Sequence, residues 1–254
     1  MSENLWFYIR KPKQYAQIRL FCFPYAGGSA SIYQSWVDAL PDFIEVCAVQ
    51  LPGRERRLLE PLPATLSDLI FHLSNEIQPF LNKPFALFGH SMGALIAFEL
   101  AHTLQDRENR TPTDIFVSGY RAPHLPRKEP LWSTFPDPQL LQHIRSLGGV
   151  PQEILEHSEL VEFLLPLIRS DFRIVESYTW KPSGPLKCPL TAFGGLQDRE
   201  ISVHDILAWK KHTRENFSYH MFPGGHFFIH HARNELLKRI VQQLNSTVSW
   251  NLKD

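Results

Sequence analysis

The chain has 254 residues, enough for a single large domain with a sizeable hydrophobic core. Its 26 basic and 26 acidic residues balance, so the net charge indicates neither a nucleic acid nor an anionic membrane as partner. Cys22, Cys47 and Cys188 lack CxxC or metal-ligand spacing, which indicates reduced core thiols in a cytoplasmic protein with no metal site.

Residues 1–14 contain no basic segment leading into an apolar run with a cleavage site. No apolar stretch of the sequence reaches the roughly 18 residues of a membrane-spanning helix. We therefore expect a soluble protein that is not exported.

The first strands and helices alternate along the chain. Apolar runs predict strands at residues 18–23 and 45–50, and helical spacing of apolar residues predicts helices at 33–40 and 68–80. The loop at residues 24–28 follows the first strand and ends in two glycines, so its backbone could approach a substrate and donate an N–H to an oxyanion. An ordinary strand-to-helix turn is the alternative for this loop.

Residues 84–97, PFALFGHSMGALIA, combine a short apolar strand, a GHSMG turn and a run of helix formers. This order is typical of a nucleophile elbow, in which a serine lies on a sharp turn at the carboxyl end of a strand. The flanking glycines avoid the clash that a Cβ would make with the tightly turned backbone. The pattern also occurs by chance in loops, but the strand and helix around it favour Ser91 as a catalytic nucleophile.

Beyond the elbow turn, short apolar runs and helical periodicities predict three more strands and three more helices. The elements are an elbow helix ending near Gln105, a polar loop at 106–113, strands at 114–118, 190–193 and 218–222, and helices at 203–211 and 234–244.

The alternation of strands and helices is interrupted at residues 123–178, which contain no convincing strand. Helical segments are predicted there at 137–147, 153–155 and 158–174. An insertion of this kind at the carboxyl edge of a sheet is where a lid would lie. Additional packing without a gating role is the alternative.

A serine hydroxyl is a weak nucleophile and needs a base within hydrogen-bond reach. Among the twelve histidines, His226 follows the last predicted strand in a glycine-containing loop that could carry its imidazole over the sheet edge. His90 is assigned to packing of the elbow. His230 and His231 fall at the start of the next helix and are expected to be a solvated or capping pair, with either one the alternative base.

The acid that orients such a base is expected between the serine and the histidine, in a loop after a late strand. Asp198 meets this expectation, since it follows a strand end and two glycines. Asp205 is a distant second because it falls inside a predicted helix. Taken alone, Asp198 would be assigned as a helix N-cap.

Backbone N–H groups are expected to bind the oxyanion that forms during attack. The first is that of Met92, directly after the nucleophile at the positive end of its helix. The second comes from Tyr25 or Ala26, and the sequence does not choose between them.

With these residues in place, the chain resembles the type II thioesterases, α/β-hydrolases that accompany nonribosomal peptide and polyketide synthases, and their relatives that release medium-chain fatty acids. GHSMG alone is shared with many hydrolases, whereas the combination of motifs is far more restrictive. The motifs are FPYAGGS at 23–29, LPGRE at 51–55, GHSMG at 89–93, GGLQD at 194–198 and PGGHFF at 223–228. Arg199 stands where the family often has proline, which affects the turn more than the chemistry.

The resemblance implies an α/β-hydrolase fold with a mostly parallel central sheet flanked by helices. Residues 1–254 would form a single domain, and residues 123–178 a lid over an acyl channel. The implied catalytic triad is Ser91, Asp198 and His226.

The implied reaction is hydrolysis of acyl or aminoacyl thioesters on the 4′-phosphopantetheine arm of carrier domains, which removes misprimed or stalled groups. The partners would be acyl or peptidyl carrier domains, without nucleic acid, membrane or enzyme-bound cofactor, and the chain is expected to be monomeric. Because carrier surfaces are typically acidic, a basic docking rim is predicted. Its candidate residues are Arg54, Arg56, Arg57, Arg121, Arg127 and Lys128.

Three alternatives stay open at this point. The chain could be a medium-chain fatty acyl-carrier thioesterase, an esterase or lipase of small oxygen esters, or a catalytically silent protein that binds a synthase. The sequence does not give the acyl-chain preference or the synthase that is served.

Overall fold

The computed structural model describes residues 4–150, 153 and 156–251. Seven strands of this part form one sheet in the order β1-β3-β2-β4-β5-β6-β7. Every neighbouring pair is parallel except the antiparallel pair of β1 and β3, which confirms the predicted mostly parallel sheet. The strands are β1 (Phe7–Tyr8), β2 (Ile18–Phe23), β3 (Ile44–Val49), β4 (Phe85–His90), β5 (Asp114–Ser118), β6 (Leu190–Gly195) and β7 (Phe217–Phe222).

The helices of the described residues flank this sheet or belong to the insertion at residues 123–178. They are α1 (Gln34–Ala39), α2 (Leu66–Glu76), α3 (Met92–Glu108), α4 (Asp137–Leu147), α5 (Ser158–Ser177), α6 (Val203–Leu207), α7 (Phe228–His231) and α8 (Arg233–Asn251). None of them combines the length and apolar character that crossing a bilayer requires. The predicted helical segment at residues 153–155 lies outside the described residues apart from Glu153.

Strand β2 shows why the sheet is covered on both faces. Its alternate residues Leu20 and Cys22 are fully buried in an apolar cluster with residues of α1 and α8. Phe21 and Phe23 are fully buried in a second cluster with residues of α2 and α3. A strand buried on both faces is a continuous apolar run, which is the pattern from which β2 was predicted.

Helices α4 and α5 lie between β5 and β6 in the chain, where the sequence predicted a helical insertion. Leu140 and Ile144 of α4 pack with Leu165 and Ile168 of α5 in an apolar cluster of their own. Ile174, one turn and a half further along α5, instead joins the core that covers the sheet. The insertion therefore has its own small core and is attached to the main core through the second half of α5.

Asp114 is a buried carboxylate that joins the sheet to the C-terminal helix. Its oxygens accept hydrogen bonds from Gln243 Nε2 (2.8 Å) and Thr247 Oγ1 (3.0 Å) of α8. Burial nevertheless raises the pKa of this carboxyl to about 6. Because the folded-state pKa lies above the unfolded value of about 3.9, the ionised group opposes folding above pH 6 and the penalty disappears below pH 4.

We expect Asp114→Asn to raise the free energy of unfolding by about 1 to 3 kcal/mol near pH 7.5. The amide keeps both contacts, since its oxygen accepts from Gln243 Nε2 and its NH₂ donates to Thr247 Oγ1. The Thr247 hydroxyl then donates its own hydrogen to the Gln243 carbonyl. Thermal unfolding followed by circular dichroism between pH 4 and 8 measures the gain. The matched control is Asp38→Asn, whose side chain is 66% exposed and whose substitution should be silent. A gain that persists at pH 4 would contradict this explanation.

Candidate active site

Ser91 lies on a strained turn between β4 and α3. Its backbone has φ +53° and ψ −119°, a region that residues other than glycine rarely adopt. Its N–H donates to the Ser118 carbonyl at 2.7 Å, which fixes the turn to the end of β5. A Cβ on Gly89 would lie 1.9 Å from the carbonyl oxygen of Gly93, so this turn requires glycine. The geometry is that of a nucleophile elbow.

Asp198 and His226 lie in hydrogen-bond contact at the same sheet edge. Asp198 Oδ2 accepts from His226 Nδ1 at 2.8 Å, and its Oδ1 accepts from the N–H groups of Glu200 (2.9 Å) and Ile201 (3.2 Å). The carboxylate is completely buried and the imidazole nearly so. With Nδ1 donating to the carboxylate, Nε2 is the nitrogen left to accept a proton.

The alternative acid, Asp205, has a structural role. It forms a capping box with Ser202, which is the N-cap of α6, and its other oxygen pairs with Lys128 Nζ at 2.9 Å. Because Ser202 occupies the cap, Asp198 is not the helix N-cap that an isolated aspartate would suggest. Of the two carboxylates, Asp198 is the one in contact with His226.

The pKa of His226 is raised above its ordinary value. Burial alone would lower it, but the hydrogen bond and charge of Asp198 outweigh burial, and Glu200 and Glu129 add in the same direction. A base with a raised pKa is well matched to taking a proton and holding it as imidazolium. His226 is thus an oriented imidazole near the elbow, which is the arrangement that the predicted base requires.

His90 connects the elbow to this pair. It is completely buried, its Nδ1 lies 2.9 Å from Ser118 Oγ, and its ring centroid lies 5.3 Å from that of His226. Burial, with smaller effects of His226 and His230, lowers the pKa of His90 well below its ordinary value, which favours the neutral imidazole. Its burial agrees with the predicted role in packing of the elbow. Within the described residues Ser91 Oγ makes no hydrogen bond to His226. Such bonds commonly form only when substrate is bound.

The loop at residues 24–28 passes over the start of α3. A Cβ on Gly93 would lie 2.2 Å from the Phe23 carbonyl oxygen, which shows how closely the two backbones approach. In this loop the Gly27 N–H donates to Asp171 and the Gly28 N–H donates to the Tyr25 carbonyl. Met92, the first residue of α3, and Tyr25 or Ala26 stay the predicted oxyanion donors, with the choice between the last two open.

His230 and His231 occupy the last two positions of α7 rather than the start of a longer helix. His231 is exposed, as expected of a solvated residue. His230 is exposed as well, which agrees with a solvated pair, and its Nε2 in addition lies 3.2 Å from Tyr25 Oη. This contact ties α7 to the loop at residues 24–28.

The predicted basic docking rim is wrong for at least three of its residues. The side chains of Arg54, Arg57 and Arg121 are only 4%, 4% and 8% exposed, and they are paired with the carboxylates of Asp171, Glu60 and Glu129, respectively. Arg127 donates to the Val175 carbonyl, and Lys128 is 59% exposed but paired with Asp205. Arg56 donates weakly to the carbonyls of Asn4 and Leu5.

Residues of the insertion that the sequence did not indicate contact the loops of the candidate site. Asp171 of α5 bonds to Gly27, and His143 Nε2 of α4 lies 3.4 Å from Glu200 Oε1. The ring of Phe227 packs against Gly149, just after α4. Asp171 falls on the apolar face of α5, and a charge on such a face is the signal that could have revealed it.

Fold and site together define a serine hydrolase of the α/β-hydrolase fold. Within this class of hydrolases, the chain belongs to the thioesterase domain family, whose model matches residues 18–244. The resemblance inferred from the sequence motifs is thereby confirmed.

Three known proteins illustrate the similarity. The gramicidin S biosynthesis protein GrsT of Aneurinibacillus migulanus is 43% identical over 95% of this chain and 94% of its own. The protein named linear gramicidin dehydrogenase LgrE, of Brevibacillus parabrevis, is 44% identical over 97% of this chain and 95% of its own. The structure of RedJ, a thioesterase of prodiginine biosynthesis from Streptomyces coelicolor, superposes with a TM-score of 0.86 at 38% identity, covering 90% of this chain and 91% of RedJ.

The name of LgrE describes a chemistry different from that of the family. Dehydrogenases of the Rossmann type bind their dinucleotide through a Gly-x-Gly-x-x-Gly turn. That pattern does not occur in this sequence.

Proposed function

We propose that this protein is a type II thioesterase, which hydrolyses acyl or aminoacyl thioesters on the 4′-phosphopantetheine arm of carrier domains. The observation that carries the proposal is the Asp198–His226 pair beside the Ser91 elbow, in a chain of the thioesterase family. GrsT, named for gramicidin S biosynthesis, and RedJ, a thioesterase of prodiginine biosynthesis, support a place beside a peptide or polyketide synthase. In that setting the reaction removes misprimed or stalled groups.

In the acylation step, Ser91 Oγ attacks the thioester carbon while His226 Nε2 takes the hydroxyl proton. The carbonyl oxygen becomes an oxyanion, stabilised by the N–H of Met92 and by that of Tyr25 or Ala26. The carbon–sulfur bond then breaks, and the pantetheine sulfur leaves as a thiol with the proton from His226. The product is an acyl-enzyme on Ser91.

In the deacylation step, water takes the place of the serine hydroxyl. His226 removes a proton from the water as it attacks the ester carbon, and returns that proton to Ser91 as the acid is released. Asp198 holds the imidazole in the tautomer that keeps Nε2 free and stabilises the imidazolium of both steps. The buried hydrogen bond of 2.8 Å between Asp198 and His226 supports this role.

Residues 123–178 act in this proposal as a lid over the acyl group. Helices α4 and α5 carry an apolar cluster of their own, and both contact loops of the catalytic site. Apolar side chains on such helices would exclude water from the acyl-enzyme. The arm belongs to the substrate, so the enzyme would need no cofactor of its own, and carrier domains would be its partners in the cytoplasm.

The function is tested by comparing acetyl, aminoacyl and decanoyl groups on a carrier protein with the same groups on coenzyme A and in small oxygen esters. We expect kcat/KM for carrier-bound thioesters to exceed that for coenzyme A esters by about tenfold or more, since carrier contacts need supply only about 1.4 kcal/mol. Faster turnover of oxygen esters would identify an esterase. A wild-type enzyme that binds carrier but releases no acyl group would identify a silent binding protein.

A further inference from the structure

Arg54 and Asp171 form an ion pair that is almost completely removed from solvent. Arg54 lies in the loop after β3 and Asp171 lies on α5 of the insertion. The terminal nitrogens Nη1 and Nη2 of Arg54 donate to Oδ2 and Oδ1 of Asp171, at 2.9 Å each. Their side chains are only 4% and 1% exposed. This parallel two-bond arrangement fixes the orientation of both groups as well as their distance.

The same two side chains hold the backbone of the loop at residues 24–28. Asp171 Oδ2 accepts from the Gly27 N–H at 2.8 Å, and Arg54 Nη1 donates to the Gly28 carbonyl at 2.9 Å. Gly27 has φ +77°, and a Cβ there would lie 2.7 Å from Ile168 of α5. The loop is therefore fixed by a donor, an acceptor and a close steric contact within two residues.

Stability alone does not account for this arrangement. Removing two charges from water costs much of what their attraction returns, and apolar residues of similar shape often replace a buried ion pair without loss. What apolar residues do not provide is an acceptor for Gly27 and a donor for Gly28. The pair is suited to fixing the backbone immediately after Tyr25 and Ala26, the two candidate donors to the oxyanion.

We propose that Arg54 and Asp171 are positioning residues that hold the oxyanion loop in its catalytic geometry and couple α5 of the insertion to that loop. The inference rests on the proposed function in one respect, that an N–H of Tyr25 or Ala26 stabilises the oxyanion. Neither side chain touches substrate in this scheme. Both act through the backbone of Gly27 and Gly28, whose displacement would move the donor away from the developing charge.

The test replaces the pair by apolar residues of similar shape, Arg54→Met/Asp171→Leu, which removes both charges and so avoids leaving one buried and unpaired. The matched control is Arg19→Met/Glu45→Leu. That pair is mostly buried, with a 2.5 Å contact and side chains 13% and 5% exposed. It lies at the amino ends of β2 and β3, at the opposite sheet edge from Ser91. All variants are compared at one temperature, at least about 15 °C below the lowest Tm of the set, so that every variant is folded when its rate is measured.

We expect the Arg54/Asp171 variant to lose about 10- to 100-fold in kcat with KM within about twofold of wild type, because the lost contact acts in the transition state. Affinity for an alkyl boronic acid, which adds to Ser91 as a tetrahedral anion, should fall by a similar factor. The control variant should keep the wild-type kcat and the wild-type affinity for the boronic acid. An Arg54/Asp171 variant that behaves like the control, or one that loses kcat at unchanged boronic acid affinity, would overturn the proposal.

These outcomes are separable from failure of the proposed function. If the wild type hydrolyses no thioester but reacts with a fluorophosphonate at Ser91, the function is wrong. The boronic acid affinities of the two double variants still decide whether the ion pair positions the loop.

Discussion

Replacing Ser91 with alanine is expected to lower thioester hydrolysis by at least about 10³-fold, because no other group on the proposed path forms the acyl-enzyme. The half-buried Ser91 follows β4 directly, and its hydroxyl is the only one on the elbow turn, residues 89–93. The measurement is steady-state release of an acyl group from a carrier protein, together with labelling by a fluorophosphonate probe. Both signals should disappear together in the variant.

The backbone of Ser91 adds a second readout. At φ +53° the serine holds a conformation that costs about 1 to 3 kcal/mol for a residue with a Cβ. Ser91→Gly should relieve most of this strain and raise Tm by about 2 to 4 °C for each kcal/mol recovered, while abolishing activity as completely as alanine does. A gain in stability with a loss of activity at one position is the signature of a strained functional turn.

Ser74→Ala is the matched control for these variants. Ser74 is buried on α2, where its hydroxyl donates to the Phe71 carbonyl. Its loss should leave kcat/KM unchanged and cost about 1 kcal/mol of stability at most. Full thioesterase activity in Ser91→Ala, with labelling at another residue, would refute the nucleophile.

Strands buried along their whole length and helices with a regularly spaced apolar face were predictable from the sequence alone. The predicted bounds of β2, β5 and α4 agree with the structure at both ends. The predicted helix at 68–80 is too long, since α2 ends at Glu76 and a short 3₁₀ turn with Pro79 follows. Strand β1 was missed because two residues show no alternation, and its position is set by pairing with β3.

The catalytic loops were predictable because each follows a strand end at one edge of the sheet. Ser91, Asp198 and His226 follow β4, β6 and β7, and parallel strands bring such loops together without further information. The Asp198–His226 hydrogen bond is the contact that this argument requires. Their catalytic roles stay predictions until the variants are measured.

Contacts between distant segments were not predictable in the same way. Arg54 and Asp171 are 117 residues apart, and nothing in the LPGRE motif indicates that its arginine points inward to a helix of the insertion. Counting charges on a loop treats every arginine as solvated. A guanidinium next to unsatisfied carbonyls is instead drawn into the protein, as Arg54 and Arg57 are.

Because Arg54 and Arg57 point into the protein, they are not available to bind the surface of a carrier domain. Arg54 and Arg57 are occupied in holding loops, with Arg57 also stacked on Trp6 at 3.9 Å. Substituting them would damage the loops rather than a docking surface. An effect of Arg54 variants on activity is therefore evidence about loop geometry, and only KM for the carrier relative to free thioesters reports on docking.

Asp198→Asn is expected to lower kcat by about 10⁴-fold, the size of effect known for loss of the orienting carboxylate in serine proteases. The surroundings of Asp198 explain why an isosteric amide should fail. Oδ1 accepts from the N–H groups of Glu200 and Ile201, so the amide oxygen of asparagine must take that position. Its NH₂ then faces His226 and donates to Nδ1, which places the imidazole hydrogen on Nε2. In that tautomer Nε2 has no lone pair to accept the proton of Ser91.

The pH dependence provides an independent check. Activity requires neutral His226, so the rate of the wild type falls as the pH drops through a pKa that lies above the ordinary histidine value. Without the charge of Asp198, burial is left as the main influence and lowers that pKa, so the acidic limb of the Asp198→Asn profile should move to lower pH. The measurement is kcat/KM between about pH 5 and 9 for both enzymes.

Asp205→Asn is the matched control, because Asp205 is the other buried aspartate after β6 and its contacts are to Ser202 and Lys128. It should cost about 1 kcal/mol through the weakened capping box and leave the pH profile unchanged. Full activity in Asp198→Asn combined with a large loss in Asp205→Asn would show that Asp205, and not Asp198, is the acid. A loss in Asp198→Asn without movement of the acidic limb would mean that Asp198 positions the loop but does not set the charge of His226.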